Sequence, residues 1–157
     1  MTGVQTCALP ICSLHYSGEK ESEPILHKDK VVIPANINNL TSKVLGLAFE
    51  VHTQLGAGLL ESTYESCLFY ELRANDIDVE RQKKLPIIYK GTQLDTDYRI
   101  DLLIDNQLII ELKSVEMLQP VHSAQLLTYM KLGHLKYGLL INFNVPHLKQ
   151  GIKRFII

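Results

Sequence analysis

Two short segments set the strongest limits on what this chain can fold into. Tyr98–Ile104 and Leu108–Lys113 are apolar at successive positions rather than alternate ones, so both faces of each strand must be covered. Strands of this kind lie in the middle of a sheet with other elements packed on either side. Each nevertheless carries charge. Asp101 stands inside Ile100-Asp101-Leu102-Leu103-Ile104, and Glu111 and Lys113 close Leu108-Ile109-Ile110-Glu111-Leu112-Lys113. Charges in buried strands are costly unless they are paired or bound to a metal. Local rules of this sort are broken mostly at functional sites, which makes Asp101, Glu111 and Lys113 candidate site residues.

Strand geometry adds a register argument. Side chains alternate, so Glu111 and Lys113 share a face. A two-residue turn at Asp105-Asn106 sets Asp101 opposite Ile110, on the other face. A three-residue loop, Asp105–Gln107, or a single bulge, sets Asp101 opposite Glu111. We take the register that joins them. Two carboxylates with a backbone carbonyl, such as that of Leu112, form an oxygen site suited to Mg²⁺ or Mn²⁺. Lys113 beside them offsets charge on a phosphate or positions a water. From spacing alone, a buried lysine–carboxylate pair without chemistry fits the pattern equally well.

The remaining pattern surrounds these strands with helices. Asn38 or Asn39 is expected to cap a helix running to about Leu55, with Val44, Leu45, Leu47, Ala48, Val51 and Leu55 as its apolar stripe and Gly56-Ala57-Gly58 as its stop. A second helix is expected from Ser62, with Ser62 and Glu65 as a capping box, and to close at Asn75-Asp76. Ile77–Arg81 and Leu85–Lys90 read as strands, with a turn at Lys90-Gly91. Pro120 opens a third helix that Gly133 ends. Tyr137–Phe143 reads as a further buried strand and Ile152–Ile157 as an edge strand. The fold class is α/β: one central mixed sheet flanked by helices.

Charge places limits on partners. The chain has 16 Lys and Arg against 17 Asp and Glu, so no global field draws it to nucleic acid, and binding there requires a local basic patch or a metal ion. No apolar run is long enough to span a bilayer. The three cysteines, Cys7, Cys12 and Cys67, follow neither a disulfide framework nor a metal-binding spacing, which fits the reducing cytoplasm. Residues 1–37 read as a tail, and residues 38–157 as the domain. Within the tail, residues 1–11 (MTGVQTCALPI) match the translation of a sequencing-library adapter and are read as an assembly artefact rather than a signal peptide.

Gly58-Leu59-Leu60-Glu61-Ser62-Thr63-Tyr64 carries a G-x-x-E-x-x-Y signature. Its context, EVHTQLGAGLLESTYESCL, is followed by YRIDLLIDNQLIIELKSVE, PVHSAQLLTYMKL and LLINFNVPHLKQGIKR. Over roughly residues 40–155 the chain resembles the GxxExxY proteins, a branch of the PD-(D/E)XK nuclease superfamily. The resemblance implies a restriction-endonuclease-like core and a Mg²⁺- or Mn²⁺-dependent nuclease acting on nucleic acid, DNA ahead of RNA. It implies that Asp101 and Glu111 are metal ligands, that Glu61 completes the metal site, and that Lys113 is the superfamily lysine. It also implies that Gln125 and Tyr129, like the Q-x-x-x-Y motif of RecB-like nucleases, share a helical face and touch the lysine or a phosphate. Ile100 stands where the superfamily name has Pro.

Other polar residues read more plainly. His52 and His122 are structural and helix-start residues, and Arg81, Lys83 and Lys84 form a solvated strand end. The competing functional class is a non-catalytic domain of the same fold that binds nucleic acid or a protein partner.

Overall fold

Helical periodicity governs the first part of the described chain and strand periodicity most of the rest. The computed structural model describes residues 32–95 and 98–157. The adapter reading and most of the tail fall on residues 1–31, outside the described residues. Helices α1 (Ala35–Leu55) and α2 (Glu61–Ala74) precede strands β1 (Val79–Lys84), β2 (Ile87–Tyr89), β3 (Thr92–Leu94), β4 (Arg99–Ile104) and β5 (Leu108–Lys113). Helix α3 (Pro120–Leu132), strand β6 (Tyr137–Asn142), a short 3₁₀ turn at Leu148–Gly151 and strand β7 (Ile152–Ile156) follow. No helix of the described residues is long and apolar enough to cross a membrane.

Five strands form one sheet in the order β1-β4-β5-β6-β7. Only β5 and β6 pair in parallel, and α3 makes the crossover between them. The sheet is covered on both faces, as its doubly apolar strands require. On one side Val44, Ala48 and Val51 of α1 and Tyr64, Leu68 and Leu72 of α2 pack on Leu102, Ile104, Ile110, Leu112 and Ile141. On the other, Leu126, Tyr129 and Met130 of α3 cover Ile100, Leu103, Ile109 and Leu140.

Four local expectations change. Helix α1 starts after Pro34, whose preset backbone leads directly into the first turn, and Asn38 and Asn39 lie within the helix without capping it. Helix α2 starts at Glu61, and Ser62 makes no cap. Glu65 is buried and paired with the Arg81 guanidinium instead of reaching back to the helix start, because a charge-assisted pair outweighs a capping bond. Strand β1 begins two residues later than the apolar pattern suggests and continues to Lys84. The segment after it is a separate two-stranded hairpin, β2–β3, turned at Lys90 (φ 49°) and Gly91 (φ 81°). Strand β3 was hidden because Thr92–Leu94 is exposed throughout and shows no alternation.

The β4–β5 hairpin decides the register. Ile104 pairs with Leu108, Leu103 with Ile109 and Leu102 with Ile110. The turn closes through the Gln107 N–H to the Ile104 carbonyl (2.9 Å), with Asp105 and Asn106 at positive φ, and pairing resumes one residue later. The loop is therefore three residues long, and Asp101 stands opposite Glu111, as the expected register required.

Strands β1 and β4 are also distorted where they meet. Arg81 pairs with Leu102 and Lys83 with Ile100, but the ladder skips the step between them, where Gln82 has a left-handed backbone (φ 52°). Ile100 and Leu103, three residues apart, face the same side of the sheet, which strict alternation forbids. The kink lies at Asp101.

Candidate active site

The site is built outward from the end of the β4–β5 ladder. Pairing between these strands stops at Leu102 and Ile110. Beyond that point the Asp101 carboxylate takes over, its Oδ2 accepting the Leu112 N–H at 2.8 Å. One residue back along β5, Glu111 points to the α3 side and is 1% exposed. Its Oε1 accepts from the Lys113 ammonium at 2.7 Å, and its buried Oε2 has no partner. A buried acceptor without a partner is rare enough to require an explanation.

The electrostatics follow from this crowding. Burial pushes the Glu111 carboxyl up to about 7; the nearby Asp101 charge adds to the rise and Lys113 opposes it. Asp101 is raised to about 6, chiefly by burial, against the Leu112 N–H and Lys113. Burial works to lower Lys113, but the bond to Glu111 and the surrounding carboxylates win, and it is held above the ordinary lysine range. The lysine therefore stays a cation, while the two carboxyls sit close to the point of exchanging protons with water.

The loop before α2 brings Glu61 to the rim. The Ser114 hydroxyl donates to the Leu59 carbonyl at 2.6 Å, tying the end of β5 to that loop. Tyr64, fully buried, donates its hydroxyl to the Gly56 carbonyl (2.6 Å), accepts the Leu59 N–H (3.1 Å) and stacks on Phe143. With Gly58 at φ 98°, this gives the G-x-x-E-x-x-Y run a physical meaning: glycine turns the chain, tyrosine clamps the loop, and glutamate starts the helix beside the strand ends. Glu61 is half-exposed, 3.8 Å from the Lys113 ammonium. On α3, Gln125 donates its amide to the Tyr129 hydroxyl at 2.8 Å. Burial raises the tyrosine, and the charges of Glu111, Asp101 and Lys113 all reach it.

Sequence reading missed two residues. Gln82 of β1 donates its side-chain amide to both Glu65 and Asp101, and Glu65 of α2 lies buried behind it. Glu65 had a detectable signal, one helical turn from Glu61 on the same face. Gln82 had none, since a polar residue in a polar edge strand breaks no pattern. The histidine readings are met, but Arg81 is no free strand end: its guanidinium pairs with buried Glu65 and donates to the Ser66 hydroxyl. His52 bonds the Val145 carbonyl, and His122 closes a reciprocal cap with Gln119. Lys83 pairs with Glu80 at the surface, and Cys67 is a half-buried free thiol packed on the core.

Among the described residues, no three His, Cys, Asp or Glu side chains are already gathered as a metal cage. The donors present are nevertheless all oxygen, and one of them, Glu111 Oε2, is buried without a protein partner. That set suits a hard divalent cation such as Mg²⁺ or Mn²⁺ rather than a thiolate- or imidazole-seeking metal.

A mixed sheet whose central antiparallel hairpin carries an aspartate opposite a Glu-x-Lys run, with a helix crossing to the parallel neighbour, defines the restriction-endonuclease-like class. A family model of the PD-(D/E)XK nuclease superfamily matches residues 38–155, and the chain belongs to that superfamily. No curated protein and no solved structure matches the chain significantly.

Proposed function

We propose that this protein is a divalent-metal-dependent nuclease of the GxxExxY branch, working in the cytoplasm and hydrolysing phosphodiester bonds of nucleic acid, DNA ahead of RNA. The observation that carries the reading is the buried Glu111 carboxylate, with one oxygen on Lys113 and the other on nothing, opposite Asp101 in a superfamily whose members cut nucleic acid. A purely structural ion pair gains nothing from an unpaired buried oxygen. Asp101 and Glu111 would hold the cation, with the Leu112 carbonyl between them and Glu61 from the rim. A bound Mg²⁺ or Mn²⁺ supplies Lewis-acid polarisation of the phosphate and acidifies a coordinated water. Lys113, held as a cation, offsets negative charge developing on the phosphate. Gln125 and Tyr129 present a hydroxyl and an amide from α3 toward the same region and would orient the substrate.

The second reading is a domain that keeps the fold to bind nucleic acid or a protein without cutting. The near-balanced charge of the chain favours it, since no net positive charge compensates a phosphate backbone. The two readings separate when the full chain is incubated with mixed single- and double-stranded DNA and RNA in Mg²⁺ or Mn²⁺, beside EDTA and Lys113→Ala controls. Cleavage lost in both controls supports the nuclease and identifies the nucleic acid. A folded protein that binds no metal and cuts none of these substrates leaves the non-catalytic domain as the better account.

A further inference from the structure

The kink shared by β1 and β4 places one neutral side chain between two acids. Gln82 donates from Nε2 to Glu65 Oε2 at 2.8 Å and to Asp101 Oδ1 at 3.3 Å. A primary amide has two N–H groups, one for each carboxylate, and its carbonyl oxygen would be repelled from both, so the orientation is fixed by chemistry. Glu65 is itself anchored, buried on α2 and paired with the Arg81 guanidinium. Asp101 thus has a donor on each oxygen, Leu112 on one side and Gln82 on the other. To make this bridge, Gln82 adopts a left-handed backbone in mid-strand, a conformation unfavourable for a residue with a Cβ and favoured by glycine and asparagine. Strain of that kind persists where the surrounding structure enforces it and clusters at functional sites.

We propose that Gln82 is a positioning residue that fixes the Asp101 carboxylate for cation binding by bracing it against buried Glu65. The inference rests on the metal-dependent reading above. The choice of residue is consistent with the role. A lysine or arginine here would neutralise Asp101 and compete with a cation, and an apolar residue would leave the carboxylate free to rotate. Glutamine alone among the uncharged side chains combines the length to span the gap with two donors. Partners that orient metal ligands in this way typically alter metal affinity about 10–100-fold when removed.

The test separates positioning from mere structural support, because the two predict opposite signs. Gln82→Asn is one methylene too short to reach both acids but suits a left-handed backbone, and Gln82→Gly relaxes the backbone completely. Mn²⁺ affinity of the full chain is read by the loss of free-ion electron paramagnetic resonance signal, and thermal melting is followed without metal. Both variants are expected to bind Mn²⁺ about ten-fold or more weakly than wild type, while melting within about 3 °C of it or above. Unchanged Mn²⁺ affinity with lowered melting temperature would show that the glutamine only ties β1 to α2, and overturns this proposal alone. A wild-type protein that binds no Mn²⁺ overturns both this proposal and the metal-dependent reading.

Discussion

Glu111→Gln tests how far the site is withdrawn from water. The substitution keeps the shape of the side chain and a carbonyl for Lys113 but removes the ionisation. In the folded wild type the Glu111 carboxyl is raised from 4.5 to about 7, and its side chain is 2% exposed, so solvent screening is slight. The folded state then holds the proton more tightly than the unfolded chain. The resulting stability is fully present below pH 4.5 and is lost as pH rises through 7. A shift of this size corresponds to about 3 kcal/mol. For a chain of this length that is roughly 6–12 °C in melting temperature. Urea melts of metal-free protein at pH 5 and pH 8, followed by far-ultraviolet circular dichroism, are expected to show wild type losing stability over that interval. Glu111→Gln should lose about 2.5 kcal/mol less, the part of the shift that falls between pH 5 and pH 8. Ionisations remote from Glu111 are common to both proteins and cancel, whereas the coupling between Asp101 and Glu111 is part of the measured difference. With saturating Mn²⁺ the wild type should recover stability at pH 8 and the variant should not. Identical pH dependence in the two metal-free proteins would refute the reasoning, because Glu111 would then be titrating as an ordinary solvated carboxyl.

Lys113→Ala should cost about 3 kcal/mol at pH 8 by stranding the Glu111 carboxylate, and less at pH 5, where that group takes a proton; paired urea melts measure the difference. Tyr64→Phe removes the hydroxyl shared by the Gly56 carbonyl and the Leu59 N–H, and should lower stability by about 1–3 kcal/mol in the same assay. Gly151→Ala would place a Cβ 2.1 Å from the Asn142 carbonyl oxygen, so the turn before β7 must shift; a loss of about 2 kcal/mol or more is expected on urea denaturation.

The sheet was legible because its central strands are apolar on both faces and because a charge there violates a rule a reader can state. Asp101, Glu111 and Lys113 announced themselves by that violation. The hairpin register followed from one structural choice, since a two-residue turn puts Asp101 on the wrong face and a three-residue loop or a bulge brings it opposite Glu111. Pro120 and Gly133 bounded α3 because each has an intrinsic backbone preference. What escaped depends on tertiary partners. Glu65 satisfies the sequence rule for a cap, yet a guanidinium sixteen residues away captures it. Gln82 leaves no trace in its own strand, and its role exists only once β1, β4 and α2 are assembled. Strand β3 escaped for a third reason: it is exposed throughout, so no hydrophobic period marks it.

The kink at Gln82 also bears on how the sheet ends. Strand β1 is an outermost strand, and its outer N–H and C=O groups are a template on which another strand could grow. A left-handed residue in mid-strand bends that template, and Lys83 and Lys84 follow it directly. Strand β7, at the opposite margin, carries Lys153 and Arg154. An in-register parallel copy of β1 on β1, or of β7 on β7, would bring these cation pairs together, and at β1 it would also have to match a bent backbone. The distortion that seats a carboxylate thus also works against open-ended strand addition and the fibrous aggregates to which it leads.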